Sequence, residues 1–118
     1  MSAGDYTRSF ASYGGQPIDV DLPTVSPLVT AKSATRIITV IKISFMPSTY
    51  EASTVSFLDS ISGKSIGSMT IPATAPSGSN TFVLDWGPVG TKLTAGANLL
   101  IAGNATGRLH IEAVQKGR

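Results

Sequence analysis

Hydrophobic and polar residues alternate in short stretches along most of this chain. Between residues 37 and 45, apolar or β-branched residues occupy every second position, with Lys42 and Ser44 between them. A period of two predicts a strand whose side chains point alternately to the two faces of a sheet. Because Ile38 and Val40 interrupt the polar face, we expect this strand to be central and covered on both sides at its start.

The same alternation predicts more strands toward the C-terminus, at residues 54–59, 65–71, 81–86, 98–102 and 108–114. The residues expected to point inward are Val55, Phe57, Met69, Ile71, Phe82, Leu84, Trp86, Leu109, Ile111 and Ala113. Ile66 departs from this alternation, because the position in phase with Met69 and Ile71 is Gly67. Turn-forming residues separate the strands and no window has a helical period, which predicts an all-β fold with a single jelly-roll-like β-sandwich. An immunoglobulin-like sandwich is less favoured because its cysteine and tryptophan markers are missing.

Residues 1–34 have a different pattern. They contain Pro17, Pro23 and Pro27 and no sustained apolar period. Proline favours extended geometry and cannot donate to a strand ladder. We therefore expect residues 1–34 to form an extended N-terminal arm, with one edge strand near 25–32, and residues 35–118 to form the sandwich domain. The alternative for the arm is a disordered tail.

Three aromatic residues of this segment are the candidate partner-binding residues. Tyr6, Phe10 and Tyr13 are spaced four and three residues apart, which places them on one face if residues 5–13 form a short helix. Aromatic side chains are common anchors at the centres of interfaces. They are thus predicted to anchor the arm in a pocket of another subunit, or alternatively to fold back over the parent sandwich.

Composition limits the classes of partner. Charged residues make up 14% of the chain, the net charge is +2, and serine and threonine supply 28 of 118 residues. No two basic residues are adjacent, so no cationic stripe for nucleic acid is expected. The absence of cysteine excludes disulfides and thiolate chemistry. The N-terminus has no signal-peptide pattern and the most apolar stretch is half a membrane span, so we expect a protein made in the cytoplasm without a membrane partner.

Candidate chemistry is sparse. His110 is the only histidine and lies between Arg108 and Glu112 on the polar side of its predicted strand, and no Gly-x-Ser-x-Gly motif accompanies it. A dispensable surface histidine is therefore expected. Asp19 and Asp21 face one way on an extended chain, but two carboxylates supply too few oxygens for calcium.

Two short motifs are interpreted as turns. Residues 63–65 (Gly-Lys-Ser) resemble the end of a phosphate-binding loop, but Leu58 stands where that motif requires glycine. Residues 104–106 (Asn-Ala-Thr) match a glycosylation sequon. We thus expect no catalytic, cofactor-binding or metal-binding residue, and no enzymatic activity.

The stretches 35–40, 55–59, 66–67, 82–85, 93–101 and 107–111 together resemble small β-sandwich proteins of tailed-phage virions. The resemblance implies a head-decoration (capsid cement) protein that stabilises a capsid lattice on the virion exterior. It implies major capsid protein subunits as partners and a homo-oligomer, with a trimer favoured. The same architecture occurs in tail, neck and fibre components. A carbohydrate-binding module is a further alternative, for which Trp86 is the only obvious aromatic platform.

Overall fold

The computed structural model describes residues 17–24, 27–77 and 81–117, and these form two antiparallel sheets without any helix. The strands are β1 (Ile18–Leu22), β2 (Ile37–Pro47), β3 (Ser53–Asp59), β4 (Ser65–Ile71), β5 (Phe82–Asp85), β6 (Thr91–Lys92), β7 (Leu99–Ala102) and β8 (Gly107–Lys116). No helix of the described part is long and apolar enough to cross a membrane. The predicted all-β sandwich is confirmed.

The strands pair in nested, reversed order. β3 pairs with β4, β2 with β5 and β6, Val29 with Leu99 of β7, and β1 with β8. The chain is thus a long antiparallel ribbon that folds back at the β3–β4 turn. Pairing of β8 with β2, and of β7 with β3, rolls this ribbon into sheets of order β1-β8-β2-β5 and β4-β3-β7. This is the arrangement of a jelly roll.

Side chains from the inner faces of both sheets fill the core. The largest fully buried side chains include Ile38, Val40, Ile43, Phe45, Val55, Phe57, Leu99, Leu109 and Ile111. The inward positions predicted for β3, β4 and β8 are confirmed. Phe82, Leu84 and Trp86 are half-buried against the same core, and the latter two pack over Gly67, where a Cβ atom would lie 3.1 Å from each side chain.

A β-bulge in β2 changes which positions face the core. Val40 pairs with Ala113 and Lys42 with Glu112, so Ile41 is the extra residue. The bulge shifts the side-chain alternation by one position. Ile38 and Val40 therefore point inward before the bulge, and Thr39 between them is also buried, as expected for a strand that is covered on both sides at its start. The predicted central position of this strand is correct, because β2 lies between β8 and β5.

The expected boundary at residue 34 is wrong. β1 is an edge strand of the larger sheet, and Leu22, Leu28 and Val29 belong to the core. The edge strand expected near 25–32 is reduced to a single bridge between Val29 and Leu99. The pairing of β1 and the burial of these three side chains make residues 18–22, 28 and 29 part of the sandwich rather than of an arm.

The segment that follows is also fixed to the domain. The backbone N–H of Ala31 donates to Asn98 Oδ1 at 2.8 Å. Gln115 of β8 accepts from the N–H of Lys32 at 2.9 Å and donates to the carbonyl of Thr30 at 2.9 Å. Residues 30–32 thus lie along the end of the sandwich.

We expect two N-terminal deletions to differ sharply. Deleting residues 2–16 leaves every described contact in place and should shift the melting temperature by less than a few degrees. Deleting residues 2–24 removes β1 and the buried Leu22, and should cost at least about 2 kcal/mol, or roughly 8 °C or more in Tm. Calorimetry of both proteins checks this, and equal melting temperatures would show that β1 contributes nothing.

Substitutions of two adjacent residues of β8 should also differ sharply in their effect on stability. Ile111→Ala empties a fully buried site and should cost about 2 to 5 kcal/mol in the free energy of unfolding. His110→Ala, on the opposite face, should cost less than about 1 kcal/mol because its ion pair is exposed. Urea denaturation measures both, and a loss of under about half a kcal/mol for Ile111→Ala would contradict the inner face as assigned.

Candidate functional site

The outer face of the larger sheet carries most of the strand-borne charge. Strand register arranges the side chains in rows across the strands: Asp21, Arg108 and Met46; Asp19, His110, Ser44 and Val83; and Glu112, Lys42 and Asp85. We call these ten residues the charged face. Directly opposed residues of neighbouring strands are close enough to interact, so opposite charges here lie next to each other.

One ion pair and one side-chain hydrogen bond connect β1 to β8 on this face. Arg108 Nε lies 3.1 Å from Asp21 Oδ1, and His110 Nδ1 lies 2.9 Å from Asp19 Oδ1. The predicted common orientation of the two aspartates is therefore confirmed. All four side chains are substantially exposed, and such pairs contribute only about 0 to 1 kcal/mol each. The pairs fix the register of an edge strand more than they stabilise the domain.

Asp19, His110 and Ser44 form a row that sequence reasoning missed. The order carboxylate, imidazole, hydroxyl is that of a nucleophilic triad. No hydrogen bond joins His110 to Ser44 within the described residues, and both lie in strands that are paired on both sides. Backbone N–H groups of such strands bond to each other, so no free pair is available as an oxyanion hole. Within the described residues, the row therefore lacks the hydrogen bond from histidine that would activate its serine, and its strands do not offer an oxyanion hole to stabilise an intermediate.

The outer face of the smaller sheet has the opposite character. It consists of Thr54, Ser56, Leu58, Ser65, Ser68, Thr70, Leu100 and Ala102, as the register and the alternation with buried neighbours show. We call these eight residues the uncharged face. It is built from hydroxyl, methyl and two half-buried leucine side chains. The two outer faces of this sandwich therefore offer different chemistry to a partner.

Exposed apolar side chains are scattered. Met46 and Val83 lie on the charged face, and Ile61 and Val89 lie in the β3–β4 and β5–β6 connections. Val89 is 77% exposed. Isolated exposed apolar residues are normal on soluble proteins and do not by themselves define an interface.

Concave sites are small or open. A cavity of about 60 Å³ lies at one end of the sandwich, with Phe45 and Ile71 as its floor and Thr49, Glu51 and Asn104 at its rim. Ligand pockets usually measure roughly 300 to 1,000 Å³. The described residues contain no group of three or more histidine, cysteine or acidic side chains that could hold a metal ion. The cavity suits water-sized molecules.

Asp59 is a buried carboxylate at the β3–β4 turn. Its Oδ1 accepts hydrogen bonds from the N–H groups of Ile61 and Ser62, at 2.9 and 3.0 Å. Its Oδ2 accepts from the N–H and the hydroxyl of Thr94, at 2.7 and 2.8 Å. The carboxylate thus connects the β3–β4 turn to the segment between β6 and β7. The turn predicted before the strand at 65–71 is confirmed, with Gly63 at a φ of +72°.

Hydrogen bonding decides the protonation of Asp59. Burial alone would raise its pKa, but the four hydrogen bonds outweigh burial and lower the pKa from 3.8 to about 2. A buried acid with a raised pKa is a candidate proton donor, whereas this one stays ionised and fully bonded. Asp59 is therefore a structural anchor.

The predicted partner-binding residues Tyr6, Phe10 and Tyr13 lie outside the described residues. Trp86 is half-buried beside Gly67 rather than presented as a platform. Residues 104–106 lie in the β7–β8 connection, as predicted for a turn.

Acid should remove the contribution of Asp59 to the free energy of unfolding. Since its folded pKa is below its unfolded value of 3.8, its contribution of about 2 kcal/mol is complete above pH 4 and is lost as the pH falls toward 2. Asp59→Asn should cost about 2 to 4 kcal/mol at neutral pH, because an amide places its own N–H groups against the donors. It should also flatten the stability profile between pH 4 and 2.

Asp85→Asn is the matched control for this experiment. Asp85 also accepts a backbone hydrogen bond, from Gly87 at 2.7 Å, but it is exposed. This variant should stay within about 0.5 kcal/mol of the wild type. Denaturation at several pH values compares the three proteins, and equal losses for both variants would refute the anchor.

Comparisons with known proteins add nothing to this description. No family model, no curated protein and no solved structure matches the chain.

Proposed function

We propose that this chain is a non-enzymatic structural protein of a phage virion, which binds and stabilises a capsid lattice as a decoration (cement) protein. The observation that carries the proposal is the jelly-roll sandwich with two broad, chemically different outer faces. A protein that works by surface contact needs a rigid domain with wide faces. The resemblance of the strand sequences to tailed-phage virion proteins supports the same function.

The polar groups and cavities that were considered as sites of catalysis or ligand binding also support a function in protein–protein contact. Asp59 and His110 already have structural partners: Asp59 bonds to Ile61, Ser62 and Thr94, and His110 bonds to Asp19. The cavity beside Phe45 is smaller than a ligand pocket, and the two larger depressions, beside Lys92 and beside Met46, are open to solvent. The uncharged face suits a large contact with another protein, since charged residues are depleted at the centres of interfaces.

The segment before β1 is proposed as a second point of attachment. It precedes Pro17, which lies next to β1, the edge strand of the larger sheet. Tyr13, Phe10 and Tyr6 are four, seven and eleven residues from Pro17, so an extended chain would carry them at most about 14, 25 and 39 Å from it. Phe10 and Tyr6 in particular could reach a subunit that lies beside the domain. Attachment through a docked domain and a tethered segment multiplies affinity by effective concentration.

A carbohydrate-binding module is the alternative of a different class. Such a module needs an exposed aromatic ring on which a sugar can stack. Trp86 packs over Gly67 and is half-buried, which does not favour this function among the described residues. Tail, neck or fibre attachment would use the same faces and differs only in the surface that is bound.

Binding to capsids tests the proposal. The purified protein is mixed with undecorated capsids assembled from the major capsid protein of the same virus, and cosedimentation is measured beside a glycan panel. We expect saturable binding to capsids and a rise in capsid melting temperature. Binding to glycans alone, or to neither, would contradict the proposal.

The N-terminal segment should account for part of the affinity. Replacing Tyr6, Phe10 and Tyr13 together by Ala, or deleting residues 2–16, should weaken attachment at least tenfold, about 1.4 kcal/mol. The matched control replaces the exposed Ile61 and Val89 by Ala and should bind like the wild type. If the deleted protein binds with undiminished affinity, the segment is not an anchor.

A further inference from the structure

The two sheets have four edges, and three of these are protected against pairing with another chain. β1 is five residues long and carries Asp19 and Asp21. β5 has four residues and ends at Asp85. The outer edge of β7 is occupied, because Leu28 N–H donates to the carbonyl of Leu99 at 2.8 Å and Leu99 N–H donates to Val29 at 2.9 Å. Short length, charge and coverage are the usual protections of edge strands.

The fourth edge, β4, has none of these protections over most of its length. It is seven residues long, contains no charged residue and no proline, and among the described residues it pairs only with β3. An antiparallel edge strand directs the N–H and C=O groups of every second residue away from its partner. At its start, Ser65 Oγ bonds the N–H and the C=O of Gly67, at 3.2 and 3.1 Å. The open part of the edge is therefore 68–71.

We propose that β4 pairs with β4 of a second copy of this chain, antiparallel about a two-fold axis at Thr70. This pairing joins two three-stranded sheets into one of six strands. It places Met69 opposite Ile71 of the second copy, and both side chains are buried on the inner face. It places Thr70 opposite Thr70 on the uncharged face, where paired threonines stabilise neighbouring strands.

Charge identifies a second copy as the occupant. A two-fold axis brings the residues that lie close to it near their own images, so a charged edge centred on the axis would oppose like charges. Two copies of β1 would set Asp19 and Asp21 against themselves, whereas neither β4 nor the uncharged face carries a charge. Lys64 precedes β4 and would lie about 40 Å from its image, because antiparallel strands place these ends apart. The uncharged faces of the two copies become continuous without repulsion.

The inference is independent of the capsid proposal, because it concerns the protein alone in solution. It predicts a dimer, where the resemblance favours a trimer. Sedimentation equilibrium should show the mass rising with concentration from 12.2 kDa toward twice that value. A mass that stays at one chain up to about 1 mM, or that reaches three chains, would overturn the pairing.

Two threonines give a matched pair of variants. Thr70 and Thr54 are exposed, lie on the same face and oppose each other in neighbouring strands, but only Thr70 is on the edge. Thr70→Lys should raise the dissociation constant of the dimer at least tenfold relative to Thr54→Lys. Equal effects of the two variants would refute the pairing, and circular dichroism verifies that both are folded.

Crosslinking provides a second, independent measurement. The chain has no cysteine, so each introduced thiol is unique. Across the axis, Thr70 would lie one strand spacing from its image, about 5 Å, and Thr54 about three spacings, roughly 15 Å. Under mild oxidation Thr70→Cys should form a reducible covalent dimer at least ten times faster than Thr54→Cys. Equal rates would count against β4 as the contact.

Discussion

The fold depends on one constraint, which is that the second half of the chain pairs with the first half in reverse order. Only the β3–β4 pair is local; each later pair joins residues that are farther apart in the sequence, ending with β1 and β8. β8 also pairs with β2 along ten residues and so lies inside the larger sheet. The core under that sheet is complete only when this last strand is in place. Such long-range pairing must overcome a large loop-closure entropy before contacts compensate for it, which makes folding slow.

Asp59 stabilises the place where this ribbon turns. The β3–β4 connection holds polar and glycine residues, and its one apolar residue, Ile61, is exposed, so burial cannot fix its conformation. The carboxylate bonds two N–H groups of that turn and two donors of Thr94, which is 35 residues away in the sequence. An ionised group is normally costly to bury, but four donors offset that cost. A local turn and a distant connection are thereby fixed by a single side chain.

The alternation of apolar and polar residues predicts the strands that bury one face and expose the other. It does not predict the features that depend on pairing with residues distant in the sequence. β3, β4 and β8 were predicted because Val55, Met69 and Ile111 alternate with polar residues. β1 was missed although residues 18–22 alternate as well, because aspartate is unfavourable in strands and prolines flank the segment. Its aspartates are accommodated by pairing with Arg108 and His110, and the latter is 91 residues from Asp19 in the sequence. The bulge at Ile41 likewise depends on pairing with a strand that is distant in the sequence, so the local pattern of apolar and polar residues does not predict it.

The two outer faces differ in the desolvation free energy that a partner must overcome to cover them. On the charged face, a partner must displace water from carboxylates and cations, and this cost is offset only where the partner's own charges match them. The uncharged face carries no ionic group, and its hydroxyls act as donor or acceptor, so their hydrogen bonds can be remade across a contact. Small side chains also lose little conformational entropy when they are covered. Desolvation therefore favours burial of the uncharged face and of the adjoining β4 edge in any assembly, while the charged face, whose pairs hold β1 against β8, remains in water.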